Sequence, residues 1–280
     1  MNKKSFGNRL VAAPYLVWSA IFIIVPLLIM VYFALTDANG VFTLSNFSQI
    51  GRYKKAFGVS ILYAAAATVI TLLLSYPTAY FMTKLKVSSQ RMLFMIVMIP
   101  MWMNFLIRTY SWVTILEDNG LINSFLRSIG LLELLNVDNL RLIRTPGAVI
   151  LGMVYDFIPF MILPIYSVMS KIDKSLLEAA EDLGSDSLSK FRRVIFPLSQ
   201  PGVISGITMV FVPSVSTFYI SKMLGDKTTL IGDSIEFLFT ALEPDYNVGS
   251  AISLLLMLMI LVCMFIMNRF SDNEGGGVLM

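Results

Sequence analysis

The chain has 280 residues, of which 56% are hydrophobic and 14% charged, and its formal net charge is +3. A mean hydropathy of +0.76 is typical of a polytopic membrane protein and excludes an ordinary soluble enzyme. The single cysteine, Cys263, leaves no disulfide framework, and the absence of histidine removes the commonest general base and metal ligand. A net charge this small does not indicate binding to nucleic acid.

Six apolar runs are long enough to cross a bilayer, because about 20 helical residues span a hydrocarbon core of about 30 Å. The first follows a basic prefix like that of a signal peptide, but it is too long and lacks a small-residue cleavage site, so we interpret it as an uncleaved helix. The sequence therefore predicts an all-α membrane protein in which residues 1–280 form one transmembrane domain. The predicted helices are 10–35, 56–82, 92–116, 146–169, 202–220 and 248–267.

The distribution of lysine and arginine predicts the orientation of these helices. Basic residues are more frequent on the segments that lie inside when both termini are cytoplasmic, which is the usual bias of membrane proteins. The segments on the other side carry more acidic than basic residues. The loop at 171–200 is then expected to be cytosolic.

This loop contains a charged, helix-forming segment. Asp173 is placed to cap a helix rich in Leu, Ala and Glu. Gly184 is placed to end that helix, because glycine adopts a left-handed C-terminal cap at little steric cost. Asp186 can cap a second helix, so the pattern predicts two short helices joined at an elbow. An ordinary amphipathic loop between membrane helices is the alternative on pattern alone.

The order of residues in this loop is more specific than its helix propensity. The motif in this loop consists of Glu178, Ala179, Ala180, Gly184, Val194, Phe196 and Pro197. They resemble the EAA loop of type I ABC-importer permeases, which have a MetI-like fold, although Val194 and Phe196 stand where Ile and Leu are usual. The resemblance implies a coupling helix that docks on a cytosolic ATPase dimer, with Glu178, Ala179, Ala180 and Gly184 as the coupling residues. Because the chain has one such loop, a second permease subunit is expected.

The sequence gives no sign of catalytic machinery of its own. A phosphate-binding loop needs the pattern G-x-x-x-x-G-K-[ST], and the nearest approach, at 225–228, lacks the first glycine and contains an acid. We therefore expect a non-enzymatic subunit that binds no metal and no cofactor. The resemblance implies that ATP and Mg²⁺ are bound by the partner ATPase.

Two charged residues fall within the predicted membrane helices, Arg108 in the third and Asp156 in the fourth. Each is unfavourable by ~2.5 to 3.5 kcal/mol near the bilayer centre on insertion scales, so such residues usually face the bundle or a water-filled path. Their positions along the helices place them at similar depths, where they could meet. Three interpretations remain open. The two residues form a structural ion pair, or Asp156 faces the transport path, or neither is the case.

Polar and aromatic side chains surround Arg108 in the sequence. Asn104 and Ser111 are predicted to share its helical face, next to a mostly aromatic face that includes Trp102 and Trp112. Aromatic residues in membrane helices are most often packing residues or interfacial anchors. Rings beside a buried acid can also bind ammonium groups.

Longer motifs narrow the resemblance. They are Trp102, residues 104–110 and 120–123, Tyr155, residues 159–161, Tyr166, residues 171–173 and 176–180, and Pro197, Pro201 and Gly249 with their neighbours. Over about residues 10–268 the chain resembles PotB-type spermidine/putrescine permeases. This implies a polyamine importer in the bacterial plasma membrane, with a different, PotC-like permease as its partner and an extracytoplasmic polyamine-binding protein. The candidate residues of the substrate path are Trp102, Asn104, Arg108, Tyr110, Tyr155, Asp156, Phe160, Thr217 and Tyr219.

The chain departs from the PotB-type pattern at Ser216, Thr217, Asp226 and residues 243–246, and Asp156 is not part of that pattern. These departures weaken the prediction that the substrate is a polyamine. The alternatives are a related importer for an amino acid, iron or an anion, or a secondary transporter or channel, which would not need an EAA loop.

Overall fold

The computed structural model describes residues 14–226 and 230–275, without the side chains of residue 268 and residues 270–275. Residues 10–13 of the first predicted helix, residues 227–228 and both chain termini lie outside the described residues. The described part is helical apart from turns, loops and one isolated bridge between Thr36 and Phe42, so the prediction of an all-α protein is confirmed.

Helices satisfy their own backbone hydrogen bonds, which any segment in a lipid core must do. By length and composition, five helices among the described residues could cross a membrane, or six if a bent pair counts as one span. In chain order the helices of at least six residues are α1 Pro14–Ala34, α2 Lys54–Lys84, α3 Val87–Trp102, α4 Phe105–Leu116, α5 Leu121–Ser128, α6 Pro146–Met169, α7 Lys174–Asp182, α8 Ser187–Ser216, α9 Tyr219–Leu224, α10 Ile231–Thr240 and α11 Tyr246–Gly275.

Contacts between backbone segments divide the described chain into two compact units. The smaller consists of the residues up to Lys55 together with Ser234–Met259. The larger consists of Ala56–Asp233 and the residues from Ile260 onward, and it contains α3 to α9.

In the smaller unit, two asparagines close the end of α1. Asn46 Nδ2 donates hydrogen bonds to the carbonyl oxygens of Ala34 and Thr36, at 3.0 and 2.8 Å. Asn247 Nδ2 donates to those of Phe33 and Thr36, at 3.0 and 2.6 Å. The last carbonyls of a helix have no partner within it, so these side chains supply what α1 lacks.

The core of the larger unit lies where α6 packs along α8. Gly202 and Gly206 in α8 form a G-x-x-x-G pattern against α6. A Cβ atom at Gly202 would lie 2.8 Å from the Pro164 carbonyl oxygen, and one at Gly206 would lie 2.6 Å from Met161 Sδ. Close packing of this kind drives helix association in lipid, where the hydrophobic effect between helices is absent.

The structure differs from the prediction of one helix over 92–116. It has α3 and α4 instead, and the helical segments on either side of the break are bent by 91°. Pro100 lies in the last turn of α3, and the backbone of Met103 and Asn104 is extended. Asn104 Oδ1 then accepts a hydrogen bond from Leu106 N at 2.8 Å and caps α4, which fixes the break.

The second arm of the elbow is also longer than the sequence predicts. It is not a short separate helix, because α8 runs from Ser187 to Ser216 without interruption and includes residues 202–216 of the fifth predicted membrane helix. The helix predicted to end at residue 220 ends at Ser216, where Thr217 takes an extended conformation before α9. The fourth predicted helix, 146–169, has the same limits as α6.

Candidate functional site

Both arms of the elbow, which we define as residues 173–190, begin with a capping aspartate. Asp173 Oδ1 accepts a hydrogen bond from Ser175 N at 3.0 Å, and Asp186 Oδ1 accepts one from Ser189 N at 3.3 Å. The backbone and side chain of Ser175 lower the pKa of Asp173, and the side chain and backbone of Ser189 lower the pKa of Asp186. The caps are therefore strongest when the carboxylates are ionised.

Gly184 makes the turn between the arms, as the sequence predicts. Its φ is +80°, a left-handed conformation that side chains rarely adopt. Ser185 N donates to the Ala180 carbonyl at 2.9 Å and Gly184 N to the Glu181 carbonyl at 2.8 Å, which together form a Schellman motif. An ion pair between Lys190 and Glu181 links the two arms. The elbow therefore has a defined shape.

The elbow combines an exposed tip with a buried anchor. Glu178 and Ala179 are exposed, whereas Ala180 is buried, and Leu183 at the tip is 88% exposed. Just beyond the elbow, the Phe191 ring packs edge-on against Tyr76 and Tyr80 of α2, with centroids 5.8 and 5.7 Å apart. This arrangement presents Glu178, Ala179 and Leu183 for contact with another molecule while α2 holds the base of the elbow.

The second candidate site is the buried pair of charges between α4 and α6. The structure brings Arg108 and Asp156 together, with 3.5 Å between Arg108 Nη1 and Asp156 Oδ1. Only 6% of the Arg108 side chain and 1% of the Asp156 side chain are exposed. Thus the two charges that the sequence places at similar depths do meet.

The hydrogen bonds of this pair are incomplete. Thr109 Oγ1 lies 3.3 Å from Asp156 Oδ2, but it also lies 3.0 Å from the Phe105 carbonyl oxygen, and one hydroxyl proton serves both acceptors. Arg108 Nε, Arg108 Nη1 and Asp156 Oδ1 are buried without a hydrogen-bond partner in the part of the chain that the structure describes. The Phe105 ring lies 5.9 Å from the guanidinium carbon.

Three of the predicted aromatic residues lie on α6 or on α9, which packs against α4 and α6. Tyr155 packs edge-on against Trp112, with ring centroids 5.4 Å apart, which joins α6 to α4. Phe160 packs against Phe157 within α6, at 6.4 Å. Tyr219 begins α9, a short helix that packs against both α4 and α6.

Other predicted site residues lie elsewhere. Trp102 is 84% exposed at the end of α3, and Tyr110 is 60% exposed on α4. Asn104 is the cap of α4, and Trp102 is the last residue of α3, before the bend. Thr217 is buried at the end of α8. The structure therefore brings Arg108 and Asp156 together but does not gather the whole predicted set.

The sequence did not identify Thr109 as a partner of Asp156, nor a second buried carboxylate, Asp233. The Ser221 hydroxyl lies 2.8 Å from both carboxylate oxygens of Asp233, and Leu230 N donates to Oδ2 at 2.8 Å. The position of Asp233 between the apolar residues Leu230, Ile231 and Ile235 was the available signal for this site.

Solved structures of two ABC transporters contain chains with this fold. A crystal structure of a bacterial alginate ABC transporter, in complex with an alginate pentasaccharide-bound periplasmic protein, matches 97% of this chain and 96% of its own with a TM-score of 0.81 and 16% identity. The MetNI methionine ABC transporter, in an inward-facing form, matches 78% of this chain and 94% of its own with a TM-score of 0.58 and 15% identity. The chain thus has the fold of an ABC-transporter permease.

Sequence comparison then identifies the family. Residues 71–273 match the model of the family described as "Binding-protein-dependent transport system inner membrane component", and the chain belongs to this family. It is 35% identical to the spermidine/putrescine transport system permease protein PotB of Escherichia coli, over 91% of this chain and 94% of that protein. It is 34% identical to the PotB protein of Haemophilus influenzae, over 90% of each chain. The resemblance to PotB-type permeases is confirmed, and the chain is a permease subunit of an ABC importer.

Proposed function

We propose that this permease carries polyamines such as spermidine and putrescine inward across the bacterial plasma membrane. The observation that carries the proposal is the 35% identity with the Escherichia coli spermidine/putrescine permease, which extends over 91% of the chain. A buried carboxylate beside aromatic rings at the α4–α6 interface suits a cationic substrate, because carboxylates and ring faces both attract ammonium groups.

The elbow is the contact with a cytosolic ATPase in this proposal, and both termini are cytoplasmic. Its exposed tip and its ring contacts with α2 support the assignment, because a rigid element can transmit a push to the helices that hold it. Glu178, Ala179, Ala180 and Gly184 are the coupling residues. The chain itself binds neither ATP nor metal in this scheme, and hydrolysis takes place on the ATPase dimer.

Two further partners complete the proposed importer. A second permease subunit of the PotC type supplies the other elbow, since each half of an ATPase dimer needs a docking helix. An extracytoplasmic polyamine-binding protein delivers the substrate. The presence of a bound periplasmic protein in the alginate transporter of similar fold supports an arrangement of this kind.

The transport claim is tested with membrane vesicles that contain the whole complex. We expect ATP-dependent uptake of radiolabelled spermidine and no uptake of sulfate, an amino acid or iron under the same conditions. Uptake of one of these other substrates without spermidine uptake would contradict the proposed substrate. Spermidine uptake that continues without ATP would favour a secondary transporter.

The coupling claim has a matched pair of variants. Gly184 and Gly130 have φ values of +80° and +72°, and in both cases an added Cβ meets nothing within 4 Å. Alanine should therefore strain both positions by a similar amount, about 1 to 2 kcal/mol. We expect Gly184→Ala to lower substrate-stimulated ATP hydrolysis several-fold while Gly130→Ala, in the turn after α5, leaves it near the wild-type rate.

Glu178→Lys tests the exposed face of the elbow without strain. It should abolish the stimulation of ATP hydrolysis while the permease still inserts and is purified with its partner permease. Equal effects of Gly184→Ala and Gly130→Ala, or normal coupling in Glu178→Lys, would contradict the role of the elbow.

A further inference from the structure

The Arg108–Asp156 pair lacks the hydrogen bonds that a permanent buried ion pair needs. A buried pair is favourable only when its geometry is good and its remaining donors and acceptors are satisfied. Here the closest charged atoms are 3.5 Å apart, and Arg108 Nε, Arg108 Nη1 and Asp156 Oδ1 are buried without a hydrogen-bond partner among the described residues. Each buried group without a hydrogen-bond partner lowers the stability of the folded protein, so such groups are not expected in a pair that never separates. The arrangement suits a pair that exchanges partners.

The missing partner of Asp156 has a defined chemistry. An ionised carboxylate only accepts hydrogen bonds, so the ligand that completes Oδ1 must be a donor. A positively charged donor is favoured over a neutral one, because displacement of Arg108 would otherwise leave the buried carboxylate without a counter-ion. A primary or secondary ammonium group meets both requirements.

We propose that Asp156 and Thr109 form an ammonium-binding site for the transported substrate, and that the Arg108 guanidinium occupies this site in the resting state. This inference rests on the proposed polyamine function. When the substrate enters, one of its ammonium groups donates to Asp156 Oδ1, and the Thr109 hydroxyl turns from the Phe105 carbonyl to Asp156 Oδ2.

The structure also provides a place and a route for the displaced arginine. The Phe105 ring lies 5.9 Å from the guanidinium carbon, within the range of a cation–π contact that persists when Asp156 is lost. Both residues belong to α4, which starts immediately after the extended residues 103–104 at the 91° bend. A change in the side-chain rotamer of Arg108 would withdraw the guanidinium from Asp156 towards the Phe105 ring, while α4 keeps Thr109 and α6 keeps the carboxylate in place.

The test compares four variants of the assembled importer by the spermidine concentration at half-maximal uptake. Asp156→Asn should raise this concentration about tenfold, because a charged hydrogen-bond acceptor is lost. Arg108→Gln should lower it several-fold, because the competing cation is removed. The double variant Arg108→Gln/Asp156→Asn should behave like Asp156→Asn. Thr109→Val, which leaves both charges in place, should raise it about threefold.

A permanent structural pair gives the opposite pattern. Both single charge variants would then reduce the amount of assembled complex, the double variant would restore assembly and uptake to the wild-type level, and Thr109→Val would leave the half-maximal concentration unchanged. That result would overturn the exchange proposal while wild-type spermidine uptake left the proposed function intact. A wild-type complex that transports an anion and no spermidine would overturn both.

Discussion

Asp156 and Asp233 are both buried carboxylates in the larger unit, 1% and 8% exposed, but their surroundings differ. Asp233 Oδ2 accepts a hydrogen bond from Leu230 N at 2.8 Å, and the Ser221 hydroxyl lies 2.8 Å from each carboxylate oxygen, although it also lies 2.9 Å from the Phe218 carbonyl oxygen. Asp156 has a shared hydroxyl at 3.3 Å and a guanidinium that is not hydrogen-bonded to it. A carboxylate with short bonds to its own chain stabilises one arrangement of helices. A carboxylate with spare capacity is available to a ligand.

The largest effect is expected when Asp233, the carboxylate with the shorter hydrogen bonds, is replaced. Asp233→Leu keeps the branching and the number of side-chain heavy atoms but removes the acceptor shared by Ser221 and Leu230 N, so we expect the free energy of unfolding to fall by about 3 kcal/mol or more. Thermal unfolding of the purified complex measures this loss. Asp226→Leu is the control, because Asp226 is 45% exposed in a surface ion pair with Arg141, and such pairs contribute at most about 1 kcal/mol.

A smaller effect follows from the hydroxyl beside each carboxylate. Ser221→Ala removes a donor that lies 2.8 Å from both oxygens of Asp233, and we expect a loss of stability of about 2 kcal/mol. Thr109→Val removes a weaker bond to Asp156, and the loss should stay below about 1 kcal/mol. Unfolding in detergent with increasing denaturant compares the two. If Thr109→Val were the more destabilising, Asp156 would be held for stability and the contrast with Asp233 would fail.

The smallest effect concerns the exposed aspartates that cap the elbow. The pKa values of Asp173 and Asp186 are lower in the folded protein than in the unfolded chain, because hydrogen bonds from Ser175 and Ser189 favour the ionised form. Their stabilisation is therefore fully present above the unfolded pKa and is lost as the pH falls through the lower, folded pKa. We expect the amide protection of Ser175 and Ser189, corrected for intrinsic exchange, to decrease only in that acidic range.

The asparagine variants Asp173→Asn and Asp186→Asn serve as controls for this titration. Asparagine keeps a capping oxygen without a titratable group, so its protection should not change over the same acidic range. A loss of protection at neutral pH in the native elbow would contradict the assignment of these carboxylates as ionised caps.

Local patterns in the sequence predicted the elements whose limits depend on their own residues. Thr145 Oγ1 accepts a hydrogen bond from Ala148 N, Pro146 begins α6, and the apolar run ends at Met169, so the predicted limits 146–169 are those of the structure. Gly184 and the two capping aspartates likewise act within a few residues of themselves. The family resemblance was visible for the same reason, because its EAA motif is contiguous.

The bend between α3 and α4 shows where local reasoning fails. A proline such as Pro100 is tolerated within membrane helices when neighbouring groups satisfy the freed backbone, so its presence alone does not predict a break. The break placed Asn104 at the cap of α4 and Trp102 at the end of α3, which a single helix over 92–116 does not predict.

The sequence by itself determined that the chain has the composition of a membrane protein and where most of its apolar helices lie. It also determined the turn at Gly184 and the presence of two charges at similar depth. Only the tertiary structure decided that Arg108 and Asp156 face each other and that Thr109 is shared between two acceptors. It alone also showed that Asp233 is well bonded and Asp156 is not. The reason is that hydrogen-bond satisfaction depends on atoms brought together from distant parts of the chain, to within a few tenths of an ångström, and helix periodicity does not fix positions at that scale.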